Sequence, residues 1–212
     1  MAERVDYCIR TSCVSLDLSS MGITNLSNNT FANLTSMEQL ILSFNQLNSL
    51  PSGIFAGLTS LQRLYLEGNQ ELTTLPSGIF DGLTSLRILI MNTNQLTSLP
   101  SGLFAGLTSL QHLHFAVNQL TSLPSGVFDG LTSLQVLGME NNRLTSLPSG
   151  ICKGLTSLQE VRLDGNQLSG LSSEDCSCRA VKAAAGNKAS GPGSIPAAPT
   201  SRDSLMTGPD VY

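Results

Sequence analysis

The chain has no tryptophan, aromatic residues make up only 5% of its 212 residues, and charged residues only 12%. No run of 18 apolar residues occurs, which excludes a membrane-spanning helix. Basic residues are scarce where they would be needed to hold a phosphate backbone: residues 1–178 carry seven Lys and Arg against 13 Asp and Glu, a balance of −6. A nucleic-acid partner is therefore excluded, because such binders concentrate Lys and Arg into patches. Residues 179–212 reverse the sign, with four basic against two acidic residues. There are two histidines in all, and neither a G-x-S-x-G element nor a glycine-rich phosphate loop is present. The expectation is thus no catalysis and no cofactor. Met1 to Tyr7 lack the apolar stretch of a signal peptide. What is abundant is hydrophobic residues, at 41%, enough for a substantial core and too many for a disordered chain.

The apolar residues recur with a long period. Asn45, Asn69, Asn94, Asn118, Asn142 and Asn166 follow one another at intervals of 24, 25, 24, 24 and 24 residues, each closing a segment L-x-x-L-x-L-x-x-N such as Leu61 to Asn69. This pattern resembles the leucine-rich repeat, and six matches in register predict its fold. That fold is an α/β-type repeat solenoid, a right-handed horseshoe with a curved parallel β-sheet on its concave face and irregular or 3-10 connectors on its convex face. The leucines point inward and a short strand around the fifth place stacks on its neighbours. The Asn residues are expected to bond the backbone leaving each strand. Phe31, Phe55, Phe80, Phe104 and Phe128 occupy one equivalent place and read as a packed column of rings. One cap strand plus six repeat strands are expected. The longer interval, Asn69 to Pro76, should bulge with Gln70 and Glu71 exposed and Leu72 inward.

Residues 1–23 read as an N-terminal cap in which Cys8 and Cys13 form a disulfide, residues 24–168 as the repeats, 169–178 as a remnant C-terminal cap, and 179–212 as a disordered low-complexity tail. Cys152 stands where other repeats have Phe, and Cys176 follows 24 residues later. Adjacent turns about 5 Å apart suit a disulfide, so a Cys152–Cys176 bond is expected, with Cys152–Cys178 as the rival pairing. Asn25, Asn28 and Asn33 each begin an N-x-[ST] sequon. Clustered sequons beside a cysteine-bracketed cap point to the secretory route and an extracellular protein.

Comparing the repeats with one another separates constant from varying places. GLTSL and LPSG each occur in five connectors. The strands differ everywhere on their outward side: the third place reads Ser15, Gln39, Arg63, Ile88, His112, Val136, Glu160; the fifth Asp17, Ile41, Tyr65, Ile90, His114, Gly138, Arg162; the seventh Ser19, Ser43, Glu67, Asn92, Ala116, Glu140, Asp164. By strand alternation all face the concave side. A constant framework with one varying face suggests that this face is free to be chosen for binding. The candidate surface comprises Glu67, Glu140, Glu160 and Asp164, which suit a cationic or hydrogen-bond-donating partner, with Ile41, Tyr65, Ile90, His112 and His114 for contact and Arg63 and Arg162 tempering the charge. His112 and His114 supply half of a metal site, for which Glu140 or Asn92 is the available third ligand; plain surface recognition, with no metal, is the expectation.

The stretch LPSGVFDGLTSLQVLGMENNRLTSLPSG, Leu123 to Gly150, and its sister repeats resemble the variable lymphocyte receptors of jawless vertebrates over roughly residues 8–178. The N-terminal cap has two cysteines where that family usually has more, and the C-terminal cap keeps only Cys176-Ser177-Cys178, as in a receptor-like relative from another chordate. The resemblance implies a secreted or surface-tethered immune receptor binding a protein or carbohydrate antigen, for instance on a bacterial surface, through its concave sheet. An extracellular matrix or adhesion protein is the alternative.

Overall fold

The computed structural model of the chain describes residues 1–169 together with the short strand at 181–182. A helix, α1 (Ala2–Thr11), is followed by β1 (Ser15–Asp17), β2 (Gln39–Ile41), β3 (Arg63–Tyr65), β4 (Ile88–Ile90), β5 (His112–His114), β6 (Val136–Gly138), β7 (Glu160–Arg162) and β8 (Val181–Lys182). The strands form one parallel sheet in sequence order. The register joins equivalent places of every repeat, so that Leu40 pairs with Leu64, Leu64 with Leu89 and Leu89 with Leu113. Each three-residue strand buries its middle residue, Leu16, Leu40, Leu64, Leu89, Leu113, Leu137 or Val161, as two-residue alternation requires.

The opposite side of the solenoid is set by rings. Phe31, Phe55, Phe80, Phe104 and Phe128 stack face to face with centroids 6.1 to 6.5 Å apart. Parallel strands stand only about 4.8 Å apart. Turns that are closer at the sheet than at the rings must fan, with the sheet on the inside, and this makes the strand face concave. The connectors are irregular turns. Bonds such as Ile54 N–H to the Pro51 carbonyl (3.1 Å) and Leu58 N–H to the Phe55 carbonyl (3.2 Å) close them. Their glycines stay constant for a backbone reason: Gly126 (φ 67°) and Gly130 (φ 83°) hold a conformation that residues with a Cβ rarely adopt.

The asparagine ladder is a network within the core. Asn118 Nδ2 donates to the carbonyls of Met91 (3.0 Å), Phe115 (3.0 Å) and Ala116 (3.2 Å), while its Oδ1 accepts from Leu96 N–H (3.0 Å). Asn69, Asn142 and Asn166 repeat the acceptance, each from the leucine N–H 22 residues earlier. The 25-residue interval alters one rung. Asn94 Oδ1 accepts instead from Asn69 N–H (2.8 Å), and Leu72 N–H turns to the Asn69 carbonyl (2.9 Å). Gln70 and Glu71 are exposed and Leu72 is buried, so the extra residue is spent at the surface and the strand register is unaffected.

The N-terminal cap contains the expected Cys8–Cys13 disulfide and also a helix that the sequence reading did not anticipate. Helix α1 buries Val5 and Cys8 against the first turn. Arg4 Nη1 donates to the Asp17 carbonyl (2.8 Å), occupying backbone on the outer side of β1, where an open strand edge would otherwise invite pairing. At the other end, β8 pairs with β7, which corrects the reading of a structureless tail at these two residues: β7 would otherwise leave its own edge unpaired. Cys152 is disulfide-bonded; the expected partner Cys176, the rest of the C-terminal cap and the rest of the tail lie outside the described residues. Among the described residues no helix is long and apolar enough to cross a membrane.

Candidate functional site

All the candidate residues proposed from the sequence are brought onto one face. Ile41, Tyr65, Ile90, His112, His114, Glu67, Glu140, Glu160 and Arg162 are half-buried there, and Arg63 and Asp164 are exposed. Ser43 and Ala116, at the seventh place, are buried, while Ser19, Glu67, Asn92 and Glu140 are half-buried and Asp164 is exposed.

The C-terminal half of the face is a packed polar cluster centred on Gly138. A Cβ on Gly138 would meet His114 Nδ1 at 2.5 Å and Glu140 Oε2 at 3.1 Å. The missing side chain therefore lets the His114 ring and the Glu140 carboxyl fold over the strand. His112 and His114 stack with centroids 6.3 Å apart. Burial, followed by the nearby Arg162 and His112 charges, lowers the His114 pKa to about 4, with Glu160 opposing. His114 is thus a neutral imidazole near neutral pH, fit for contact and hydrogen bonding. Arg162 makes a two-point ion pair with Glu160, from Nε to Oε1 at 3.0 Å and from Nη2 to Oε2 at 3.4 Å. No group of three metal-ligating side chains occurs among the described residues.

Two carboxyls are unusual. Oε2 of Glu67 and Oε2 of Glu140 are both shielded from solvent; the Ser43 hydroxyl hydrogen-bonds the Glu67 carboxyl, whereas Glu140 Oε2 has no hydrogen-bond partner. Burial raises both pKa values; for Glu140 the Asp164 and Glu160 charges add to this and Arg162 opposes it. A carboxyl whose folded pKa lies above its unfolded one favours the fold when protonated, and that contribution is lost as pH rises through the raised range. Glu140→Gln is therefore expected to match the parent in acid and to melt higher at neutral pH, as measured by thermal denaturation at pH 4 and pH 7. A variant less stable than the parent at pH 7 would contradict the assignment.

The sequence reading missed the eighth place, the rim where the chain leaves each strand. Ser20, Phe44, Gly68, Thr93, Val117, Asn141 and Gly165 all have φ between 54° and 75° there, Phe44 at 56° and Val117 at 54° among them. Gly and Asn suit this left-handed backbone, whereas a β-branched residue such as Val117 costs about 1–2 kcal/mol. Phe44 and Val117 are nonetheless 62% and 46% exposed. The Phe44 ring lies across Gly68, where a Cβ would stand 2.5 Å from Cδ1. The available signal was a phenylalanine and a valine in a column otherwise small or polar.

The repeats, the ladder and the capped sheet agree with a known family. The leucine rich repeat model matches residues 12–70, 69–120 and 116–168. The chain belongs to the leucine-rich-repeat family. This leucine-rich-repeat protein is also similar to a chain in a solved structure described as "Structure of the Toll - Spatzle complex, a molecular hub in Drosophila development and innate immunity", with a TM-score of 0.71 and 34% identity. The likeness covers 75% of this chain and 21% of that one, so the leucine-rich-repeat protein spans about a fifth of its neighbour's length. No curated protein matches.

Proposed function

We propose that this leucine-rich-repeat protein is an extracellular recognition module that binds a protein or carbohydrate ligand on its concave face, as an immune-type receptor of the variable-lymphocyte-receptor kind. The observation that carries this reading is the confinement of sequence variation to that face. The strands hold their inward residue nearly constant and five connectors share GLTSL and LPSG, while the third, fifth and seventh places change from turn to turn. A drifting solvated surface would also scatter changes over the exposed Thr and Ser of the connectors. The N-terminal disulfide suits an oxidising compartment. Asn25, Asn28 and Asn33 are exposed in the first connector, off the sheet, where glycans leave the concave face open. The likeness to a chain of the Toll–Spatzle complex supports recognition of a ligand by such a solenoid.

The test begins with a binding screen against microbial cells, glycans and proteins. For whatever ligand emerges, replacing Glu67, Glu140, Glu160 and Asp164 together by Ala is expected to leave thermal stability undiminished. It should weaken binding and flatten its dependence on salt. Unchanged affinity in that variant, with binding lost instead on altering the convex connectors, refutes the concave-face reading.

A further inference from the structure

Helix α1 covers the first turn with one face and leaves the opposite face bare. Its buried residues are Val5 and Cys8. Glu3, Tyr7 and Arg10 lie four and three residues apart, which places them on one stripe of the helix, on the side away from Val5. All three are exposed, Tyr7 with 61% of its surface in water. Tyr7, Ile9, Val14 and Met21 put four of the seven exposed large hydrophobic residues in the N-terminal cap, whereas a cap that only ends a solenoid needs a polar outer face. Beside Tyr7, toward β1, a cavity of about 340 Å³ opens between Arg4, Leu16 and Asp17. A ten-residue helix with no side-chain bond at its N-cap is also too short to persist by itself, so burial of a second face would stabilise it.

Charge selects what can cover that face. Helix α1 carries Glu3 and Asp6 against Arg4 and Arg10, a balance of zero, so the whole −6 of residues 1–178 lies outside it. The rest of the body repels a second copy of the chain, and this helix does not. Glu3 and Arg10 stand seven residues apart, about 10 Å along the axis, too far to pair with each other. Among the described residues neither makes an ion pair.

The stripe is complementary to itself. When two such helices lie antiparallel, with a two-fold axis midway between residues 3 and 10, Glu3 of each copy meets Arg10 of the other. The two Tyr7 rings then meet between these ion pairs, in reach of an offset stack that also covers the two cavities. We propose that the outward face of α1 is an interface for a second copy of this chain, packed antiparallel across Glu3, Tyr7 and Arg10. The contact lies beyond the outer edge of β1, where Arg4 already holds the Asp17 carbonyl, so both concave faces stay open. Such a dimer presents two of them to one surface, which raises avidity without any new ligand contact.

Two ten-residue helices bury less than the roughly 1,200 Å² of a tight interface, so the dimer forms at micromolar and higher concentrations. Sedimentation equilibrium of the full chain over that range should show a shift from monomer to dimer. Glu3→Arg and Arg10→Glu each set like charges opposite one another, and each should weaken association about tenfold. Tyr7→Ser should weaken it as well, while Tyr65→Ser, the same change made on the concave face, should leave it unaltered. Mixing the Glu3→Arg chain with the Arg10→Glu chain restores both ion pairs in a heterodimer and should return association to the parent level. Circular dichroism of each variant alone separates a lost contact from a lost fold. A parent that stays monomeric overturns the proposal, as does a mixture no stronger than its components, or a dimer that survives Tyr7→Ser and is lost with Tyr65→Ser.

Discussion

Replacing Asn118 by alanine is expected to lower the free energy of unfolding by about 3–5 kcal/mol, because it leaves the buried Leu96 N–H unpaired, at about 1–3 kcal/mol, and takes one of two donors from each of three carbonyls, at about 0.5–1 kcal/mol apiece; Met91, Phe115 and Ala116 keep Asn94 Nδ2, Asn142 Nδ2 and Thr93 N–H. The side chain is buried and donates to three carbonyls of two successive turns while accepting one N–H. Its removal leaves Leu96 N–H facing a core with no acceptor in reach, and water cannot enter without opening the solenoid. Asn118→Leu restores the volume and should be nearly as damaging, which separates lost hydrogen bonds from lost packing. Urea denaturation followed by circular dichroism measures both. A loss below about 1 kcal/mol, the usual net worth of a single hydrogen bond, would mean that the ladder is not the internal support described above.

Phe104→Ala is expected to cost a similar amount, about 3–5 kcal/mol, for a different reason. The ring is fully buried and stacked on both sides, 6.2 Å from Phe80 and 6.1 Å from Phe128. Deleting it opens a cavity in the middle of the column that sets the wider spacing of the convex side. Phe31, at the end of the column, stacks on Phe55 alone at 6.5 Å. Phe31→Ala should therefore cost less than Phe104→Ala in the same denaturation experiment. Equal losses would show that the column acts as independent residues and not as a continuous stack.

The fold was legible because a solenoid converts sequence period directly into spatial neighbourhood. Residues 24 apart are adjacent in space, so the third-place column Arg63, Ile88, His112, Val136 is also a row of strand partners in the structure. Leu72 kept its inward place through the long interval because displacing a buried leucine costs more than exposing Gln70 and Glu71. The caps were less legible. Helix α1 lies outside the repeat spacing that fixes the strands, and β8 extends the sheet beyond the last repeat.

The candidate site was legible as a list of residues and not as an arrangement. Sequence placed His114, Glu140 and Arg162 on one face, yet nothing in the period says that the absent side chain of Gly138 lets His114 and Glu140 fold together over the strand. Nor could it say that Phe44 and Val117 stand out from the rim, since exposure and a positive φ are properties of the backbone path.

The sequence by itself determined the stack, its register, the asparagine ladder and the varying face, because each follows from which residues recur at one spacing. Only the tertiary structure decided how the side chains of that face share space. It assigned Arg162 to Glu160, set Ser43 against Glu67 and left the Oε2 atom of Glu140 without a donor. Those outcomes depend on contacts between neighbouring turns, where burial and the geometry of charge, rather than residue type, set the protonation of His114 and the unmet bonding of the Glu140 carboxyl.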